Sequence, residues 1–436
     1  MKGHFFLTVL AAFAMVTAGG LQALAGDGDG CADGNSDVKS VYDVLENAKC
    51  DEDCSGCYAV EEEAFCHYLP QVGRLQFYGW LDAGFVGNTS SPNSRFNGPY
   101  NAVDRSNELM FNQGYLVSEI GLPRDGSVGV GGRLDLLYGE DFLLAQSVGW
   151  ELNDDGTPGW NGHEYYGLAM PQAYIEAGTC NLSVKIGHFY SIVGYEGVMA
   201  PYNFFYSKSY SYQFAGPFQH WGGQVDWQLN EAWQVQAGLI NGWNALDREQ
   251  DTVNFIGRVK YTNPDRGWWT SFALITGDEY NNVANLTRTV PADQTNRTRY
   301  SWIVDLPITC RWEYVFHHWL GYQEAGAADG SDADWYGLDQ YLYYTINECW
   351  KVGGRLEWFR DEEGTRVGLN RPSNPNNPPF VGDFWSLSVG ANWTPTTNLI
   401  VRPELRWDWF DGVGLPYADG AKDDQLLLAA DVIWRF

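Results

Sequence analysis

Apolar and polar residues alternate along most of this chain with a period of two, most plainly near its end. In residues 425–436, Leu426, Leu428, Ala430, Val432, Trp434 and Phe436 share one parity, while Gln425, Asp431 and Arg435 share the other. That pattern predicts a strand with one apolar and one polar face, about twice the five or six residues usual in globular sheets. Ile400–Trp409 repeats it: Arg402, Glu404, Arg406 and Asp408 alternate with Val401, Pro403, Leu405, Trp407 and Trp409. Arg74–Phe85, Gly131–Tyr138 (with Arg133 and Asp135), Asn254–Thr262 (Arg258 and Lys260) and Lys351–Trp358 (Arg355 and Glu357) behave alike.

The connections between these stretches carry a second pattern. Short links rich in Pro, Asn, Asp, Gly and Thr occur at 123–127, 178–181, 229–233, 263–267, 309–311, 347–349 and 395–398, which is turn chemistry. Between them lie longer links at about 87–113, 141–165, 191–215, 242–252, 278–298, 325–334, 361–382 and 411–424. Short and long connections alternate strictly. Seven short and eight long links imply about sixteen strands. The predicted fold class is therefore all-β, a transmembrane antiparallel barrel over residues 73–436 whose two ends differ in loop length. Closure pairs the strand at Arg74 with the terminal one and removes exposed sheet edges. A propeller would show a blade-length repeat, and none is found. A secreted β-sandwich is the bland alternative.

Composition sharpens this picture. The chain has 20 Trp, 26 Tyr, 22 Phe and 50 Gly, yet its mean hydropathy is −0.33. A barrel reconciles the two, because only every second residue must face lipid. Lys2 and His4 precede an apolar run from Phe5 to Val16, followed by Ala23-Leu24-Ala25. Residues 1–25 therefore read as a signal peptide, and the expected location is the bacterial outer membrane. Residues 26–72 hold 12 acidic residues against Lys39 and Lys49, and residues 73–436 hold 43 against 24 basic ones. This excess argues against a nucleic-acid partner.

One long link is aromatic: "GHFYSIVGYEGVMAPYNFFYSKSYSYQFAGPFQHWGGQVDW", Gly187–Trp227. Its G-Y-E at 194–196, P-Y-N-F-F-Y-S-K-S at 201–209 and P-F at 217–218 resemble the OmpL-like β-barrel porin family, and the resemblance extends from about Tyr78 to Phe436. It implies an outer-membrane channel whose loop at about 191–215 folds inward and narrows the pore. Projected outward, so aromatic a loop would be poorly soluble. Constriction candidates are Tyr195, Glu196, Tyr202, Phe204, Tyr206 and Lys208. Lumen candidates are Arg133, Asp135, Lys185, Asp226, Arg258, Lys260, Arg355, Glu357, Arg402, Glu404, Arg406 and Asp408, expected to stand in a wet channel. A C-terminal Phe preceded by alternating apolar residues is similar to the signal that outer-membrane barrels show their assembly machinery, here Trp434 and Phe436.

Catalytic signatures fail. His163-Glu164 is followed by Gly at 167, so no zincin pair forms, and Gly126-Ser127 lacks the nucleophile-elbow spacing. No enzyme activity, cofactor or metal is expected. Cys31, Cys50, Cys54, Cys57 and Cys66 lie in a Cys-rich extension over 26–72, where Ser36–Lys49 has helical spacing, and Cys180, Cys310 and Cys349 fall at short turns. In an exported chain these eight are disulfide candidates, the odd split between the groups requiring at least one bridge across them. The expected function is passive diffusion of small hydrophilic solutes or ions through a water-filled channel. A carbohydrate-selective channel with an aromatic constriction and a non-conducting adhesive barrel are the alternatives. Lipid, the assembly machinery and solutes are the expected partners, with a homo-oligomer left open.

Overall fold

Period-two alternation over ten or more residues allows one stable solution in a bilayer, a sheet closed on itself, and that is the architecture observed. The computed structural model describes residues 69, 72–123, 126–153, 156–246, 253–279, 295–368, 371, 373–376 and 379–436. Residues 1–25, read from the sequence as a signal peptide, and almost all of the expected Cys-rich extension, with Cys31, Cys50, Cys54, Cys57 and Cys66, lie outside these residues.

Sixteen strands are present among the described residues: β1 (Leu75–Asn88), β2 (Leu109–Ile120), β3 (Gly129–Gly139), β4 (Gly167–Gly178), β5 (Leu182–Tyr190), β6 (Gln219–Gln228), β7 (Trp233–Ile240) and β8 (Asn254–Thr262). They continue as β9 (Trp269–Glu279), β10 (Thr295–Pro307), β11 (Trp312–Gln323), β12 (Ala333–Asn347), β13 (Trp350–Asp361), β14 (Val381–Thr396), β15 (Leu399–Val413) and β16 (Asp424–Arg435). Each pairs antiparallel with its sequence neighbours, and β1 pairs with β16, Leu81 opposite Trp434 and Ala83 opposite Val432. The expected count and the alternation of short and long links are both met. Phe436 completes the seam, its amide and carbonyl exchanging 2.9 Å hydrogen bonds with Gly79.

The two faces separate as the parity requires. On β15, Leu405 and Trp407 are 43% and 42% exposed, whereas Arg406 and Asp408 between them are almost fully buried. Trp434 is exposed on the outer face, 5.3 Å from the Phe436 ring. The inner face is not uniformly polar. Trp319, Trp335, Phe359, Phe384 and Phe410 occupy inward positions and form one buried cluster with residues of the long loops. The long links therefore fold onto an apolar inner surface of the wall. No described helix is long and apolar enough to cross a membrane, which says nothing of strands.

Candidate constriction and pore lining

The β5–β6 loop, residues 191–218, has too many backbone groups to satisfy by itself, since it forms only a single turn of 3-10 helix at Ala200–Tyr202 and a five-residue helix, α1 (Tyr210–Phe214). Ser209 caps α1, its hydroxyl accepting from the Tyr212 amide at 3.0 Å. The remaining donors and acceptors are met by charged side chains of the inner wall. Arg402 donates to the carbonyls of Ala200 and Asn203 at 2.8 and 2.6 Å. Arg406 donates to the Lys208 carbonyl at 2.8 Å, and Arg355 to that of Ser207 at 3.0 Å. In the opposite sense, Glu404 accepts from the Ser207 amide at 2.9 Å and Glu357 from the Tyr210 amide at 2.7 Å.

The same side chains neutralise one another. Arg406 contacts Asp408 at 2.7 Å and Glu357 at 2.9 Å, and Arg402 pairs with Asp431. Glu196, the loop's carboxylate, is held by Arg355 at 2.7 Å, by the Ser209 amide at 2.8 Å and by the Tyr341 hydroxyl at 3.1 Å. Burial alone would raise its pKa, but Arg355, the Ser209 amide and Lys208 outweigh that and hold it below the ordinary carboxylate value. Arg133 and Arg258 engage elsewhere, Arg133 with Asp135 at 2.7 Å and Arg258 with Gln234 at 3.5 Å.

The aromatic side chains complete the docking. Tyr195 lies 4.8 Å from the Tyr341 ring and Phe204 4.7 Å from Tyr343. Tyr202 meets Trp80 edge-on at 6.4 Å. The Tyr206 hydroxyl donates to Asn112 at 3.1 Å, and its ring sits where a Cβ on Gly84 would come within 2.5 Å of it. Phe204 and Phe205 lie similarly against Gly353 and Gly390, at 2.9 and 3.3 Å from the positions a Cβ would take. Lys208 donates to the Gly197 carbonyl at 3.1 Å and is buried. Tyr206 and Lys208 thus lie beneath the loop and offer no face to a solute, while Tyr195, Tyr202 and Phe204 stay partly exposed.

Two sequence-based expectations need correction here. Arg133, Asp135, Arg355, Glu357, Arg402, Glu404, Arg406 and Asp408 do face inward, but all are 5% exposed or less. They are paired and desolvated because the loop covers them, not bathed in a wet lumen. Lys185, Asp226, Arg258 and Lys260, on β5, β6 and β8, remain partly exposed. Cys180, in the β4–β5 turn, is a free and exposed thiol, so its expected bridge is absent. Cys310 and Cys349 stand in the β10–β11 and β12–β13 turns, at the same end of the barrel as Cys180.

The pattern of alternation missed a second cluster, formed by the long loops. Arg371, in the β13–β14 loop, pairs with Asp104 of the β1–β2 loop, lies 3.5 Å from Glu140 of the β3–β4 loop, and donates to the Glu164 carbonyl. Burial, followed by the neighbouring Asp104, drives the Glu140 pKa well above its ordinary value. Glu151, in the same β3–β4 loop, accepts from the Ser147 and Met170 amides at 2.8 and 2.9 Å. Burial with no cation beside it pushes Glu151 up to about 7. These loops have no periodicity, so the local sequence carried no signal of this cluster.

With the barrel, the docked loop and its charged seats in place, similarity to known proteins has a structural frame. Residues 74–436 match the family model described as putative beta-barrel porin-2, OmpL-like. The chain belongs to this β-barrel porin family. Its fold is similar to the outer membrane channel DcaP of Acinetobacter baumannii, at TM-score 0.55 and 10% identity, over 83% of this chain and 97% of that one. It is likewise similar to OmpT of Vibrio cholerae, at TM-score 0.55 and 8% identity over 85% and 100% of the two chains, a protein also seen in a trimer form. An anion-selective porin from Comamonas acidovorans aligns at TM-score 0.54 and 10% identity over 83% and 99%. Identities this low carry the fold and nothing finer. Among curated proteins, none matches the chain by sequence. This member of the porin family is an outer-membrane β-barrel, and its β5–β6 loop lies against the inner wall.

Proposed function

We propose that the protein is a passive channel for small hydrophilic solutes or ions, narrowed by the β5–β6 loop to a passage along the β5–β8 side of the lumen. One observation carries this reading. The loop is fastened by Arg355, Arg402 and Arg406 to one side of the wall, whereas Lys185, Asp226, Arg258 and Lys260 opposite remain partly exposed. Those four side chains would set the field that permeating ions meet. The buried charges on the other side would position the loop. No bond is made or broken in this reading.

The finer parts of the reading follow from chemistry. The long-loop end would face the exterior and the short turns the periplasm. Export would use residues 1–25, and Trp434 with Phe436 would be presented to the assembly machinery. Cys310 and Cys349, unlike the free Cys180, are disulfide-bonded, which supports bridging of the turns to the N-terminal set. The trimer form of OmpT supports testing for a homo-oligomer here. Partly exposed Tyr195, Tyr202 and Phe204 favour, as the second reading, stacking of sugar rings at the constriction. Single-channel recording of the purified protein in a planar bilayer tests both. Ohmic steps are expected, and maltose added at millimolar concentration should leave them unchanged under the general-channel reading but reduce them under the sugar-selective one. A folded barrel giving no conductance steps would overturn the channel proposal.

A further inference from the structure

A cavity of about 270 Å³ lies at the long-loop end of the barrel, just below the ~300–1,000 Å³ typical of small-molecule sites. Phe142, Phe214, Phe218 and Trp243 supply apolar walls, and Arg297 and Arg366 supply positive charge. Glu164 is the cavity's carboxylate, and its side chain accepts from the Ser373 amide at 2.8 Å.

Arg366 differs from the arginines of β13 and β15 that seat the loop. It is 6% exposed, and its Nε donates to the Phe214 carbonyl at 3.0 Å, at the end of α1. Its guanidinium lies 4.7 Å from the Trp335 ring and 5.4 Å from that of Trp243, so the plane is held in a fixed orientation. Arg355, Arg402 and Arg406 each contact a carboxylate. No carboxylate accepts from Arg366 among the described residues, and its two terminal nitrogens have no hydrogen-bond partner there. Nearby Asp361 is occupied by the amides of Thr365, Arg366 and Val367 at 2.8 to 2.9 Å. Burial pulls Arg366 down to about 10, which leaves it charged at neutral pH. A fixed, desolvated guanidinium with free donors beside an apolar cavity is costly unless an anion completes it.

We infer that this cavity binds a small monocarboxylate with an aromatic or branched apolar body, its carboxylate paired with Arg366 and its body against Trp243, Phe142 and Phe218. A net anion is favoured over a zwitterion because two arginines, Arg297 and Arg366, line the cavity against the single carboxylate of Glu164. Binding at the mouth would raise the local concentration of such acids before they reach the narrow passage. That transport role rests on the channel reading, although the binding itself does not.

Calorimetry on the full chain, folded in detergent, tests the site with benzoate as probe and benzamide, acetate and inorganic phosphate as comparators. Benzoate should bind at least tenfold more tightly than each comparator, and Arg366→Gln should bring benzoate down to the level of benzamide. Equal affinity for benzoate and benzamide would overturn the ion pair, and phosphate binding as tightly as benzoate would overturn the apolar half. Both comparisons use the unaltered protein, so they stand if Arg366→Gln fails to fold. Calorimetry needs no open pore. Conductance without benzoate binding therefore rejects the site alone, and benzoate binding without conductance rejects the channel alone.

Discussion

The inner wall offers two arcs built from the same residue types with opposite fates. On β13 and β15, Arg355, Glu357, Arg402, Glu404, Arg406 and Asp408 are desolvated beneath the β5–β6 loop and tied into a shared network. On β5, β6 and β8, Lys185, Asp226, Arg258 and Lys260 keep part of their surface open. Their strand environment and parity are alike, so the difference comes from what covers them. A charge paired under a loop is strongly destabilising to break, because its partner is left buried and alone. A charge at a partly open site costs little to remove, but it acts at range on passing ions. The docked arc is thus structural, and in the proposed channel the open arc is where permeation would be tuned.

The comparison can be broken most directly by shortening Val198–Tyr212. Conductance should rise several-fold while the barrel still closes, since the β1–β16 ladder does not involve the loop. A folded, heat-modifiable variant with unaltered conductance would dismiss the constriction. Next, Arg406→Met should destabilise the folded state by about 3–5 kcal/mol, as Glu357 and Asp408 lose a buried partner. Lys260→Met on the open arc should cost about 0.5 kcal/mol or less while shifting ion preference toward cations no further than a single charge allows. Unfolding in denaturant with reversal potentials on both variants checks the pair, and equal stability losses would erase the distinction between the arcs.

Two loop carboxylates sharpen it further through pH. Glu151 is raised to about 7 from an ordinary 4.5, so the folded state holds its proton more tightly than the unfolded chain. Its contribution is complete at low pH and is lost as pH climbs from about 4.5 to 7, up to about 3 kcal/mol. Protection of the β3–β4 loop against hydrogen exchange, corrected for intrinsic rates, should fall over that window, and Glu151→Gln should flatten the profile. An identical profile in the variant would show that Glu151 is not responsible. Glu196 has the opposite sign: its depressed pKa gives stability that is present above the ordinary value and lost only as pH falls through the lowered one. Loop docking through Glu196 should therefore be constant between pH 5 and 8. Glu196→Gln should move reversal potentials modestly toward anions, the smallest effect expected, and a shift toward cations would contradict the place proposed for it at the constriction.

Strand count, closure and facing were legible in the sequence because parity is a local property: Arg402 to Asp408 point inward for the same reason that Val401 to Trp409 do not. The placement of the β5–β6 loop was legible from its aromatic content. The dryness of its seats was not, because burial of Arg355 or Arg406 depends on a loop more than a hundred residues distant in sequence. Nor did parity reveal the inward aromatic cluster around Trp335 and Phe384, since an aromatic ring is acceptable on either face of a strand. Arg366 and Arg371 were invisible for a related reason. In a loop without periodicity, nothing in the local sequence separates a solvated arginine from one buried against other loops.

The rings of Tyr206, Phe204 and Phe205 rest against Gly84, Gly353 and Gly390, where the wall has no side chain. Gly84, where the loop ring is the nearest neighbour, is therefore a stop that sets how closely the loop approaches the wall. Replacing Gly84 by Ala would place a methyl group inside the space of the Tyr206 ring, and the loop would have to stand further into the passage, with the strand ladder itself untouched. If the loop narrows the passage as proposed, pore width would be adjustable in steps of single carbon atoms, from a position that no solute contacts. Permeability could then drift by small, nearly neutral substitutions on the wall, without any change in the loop's own sequence or in the charges along the passage.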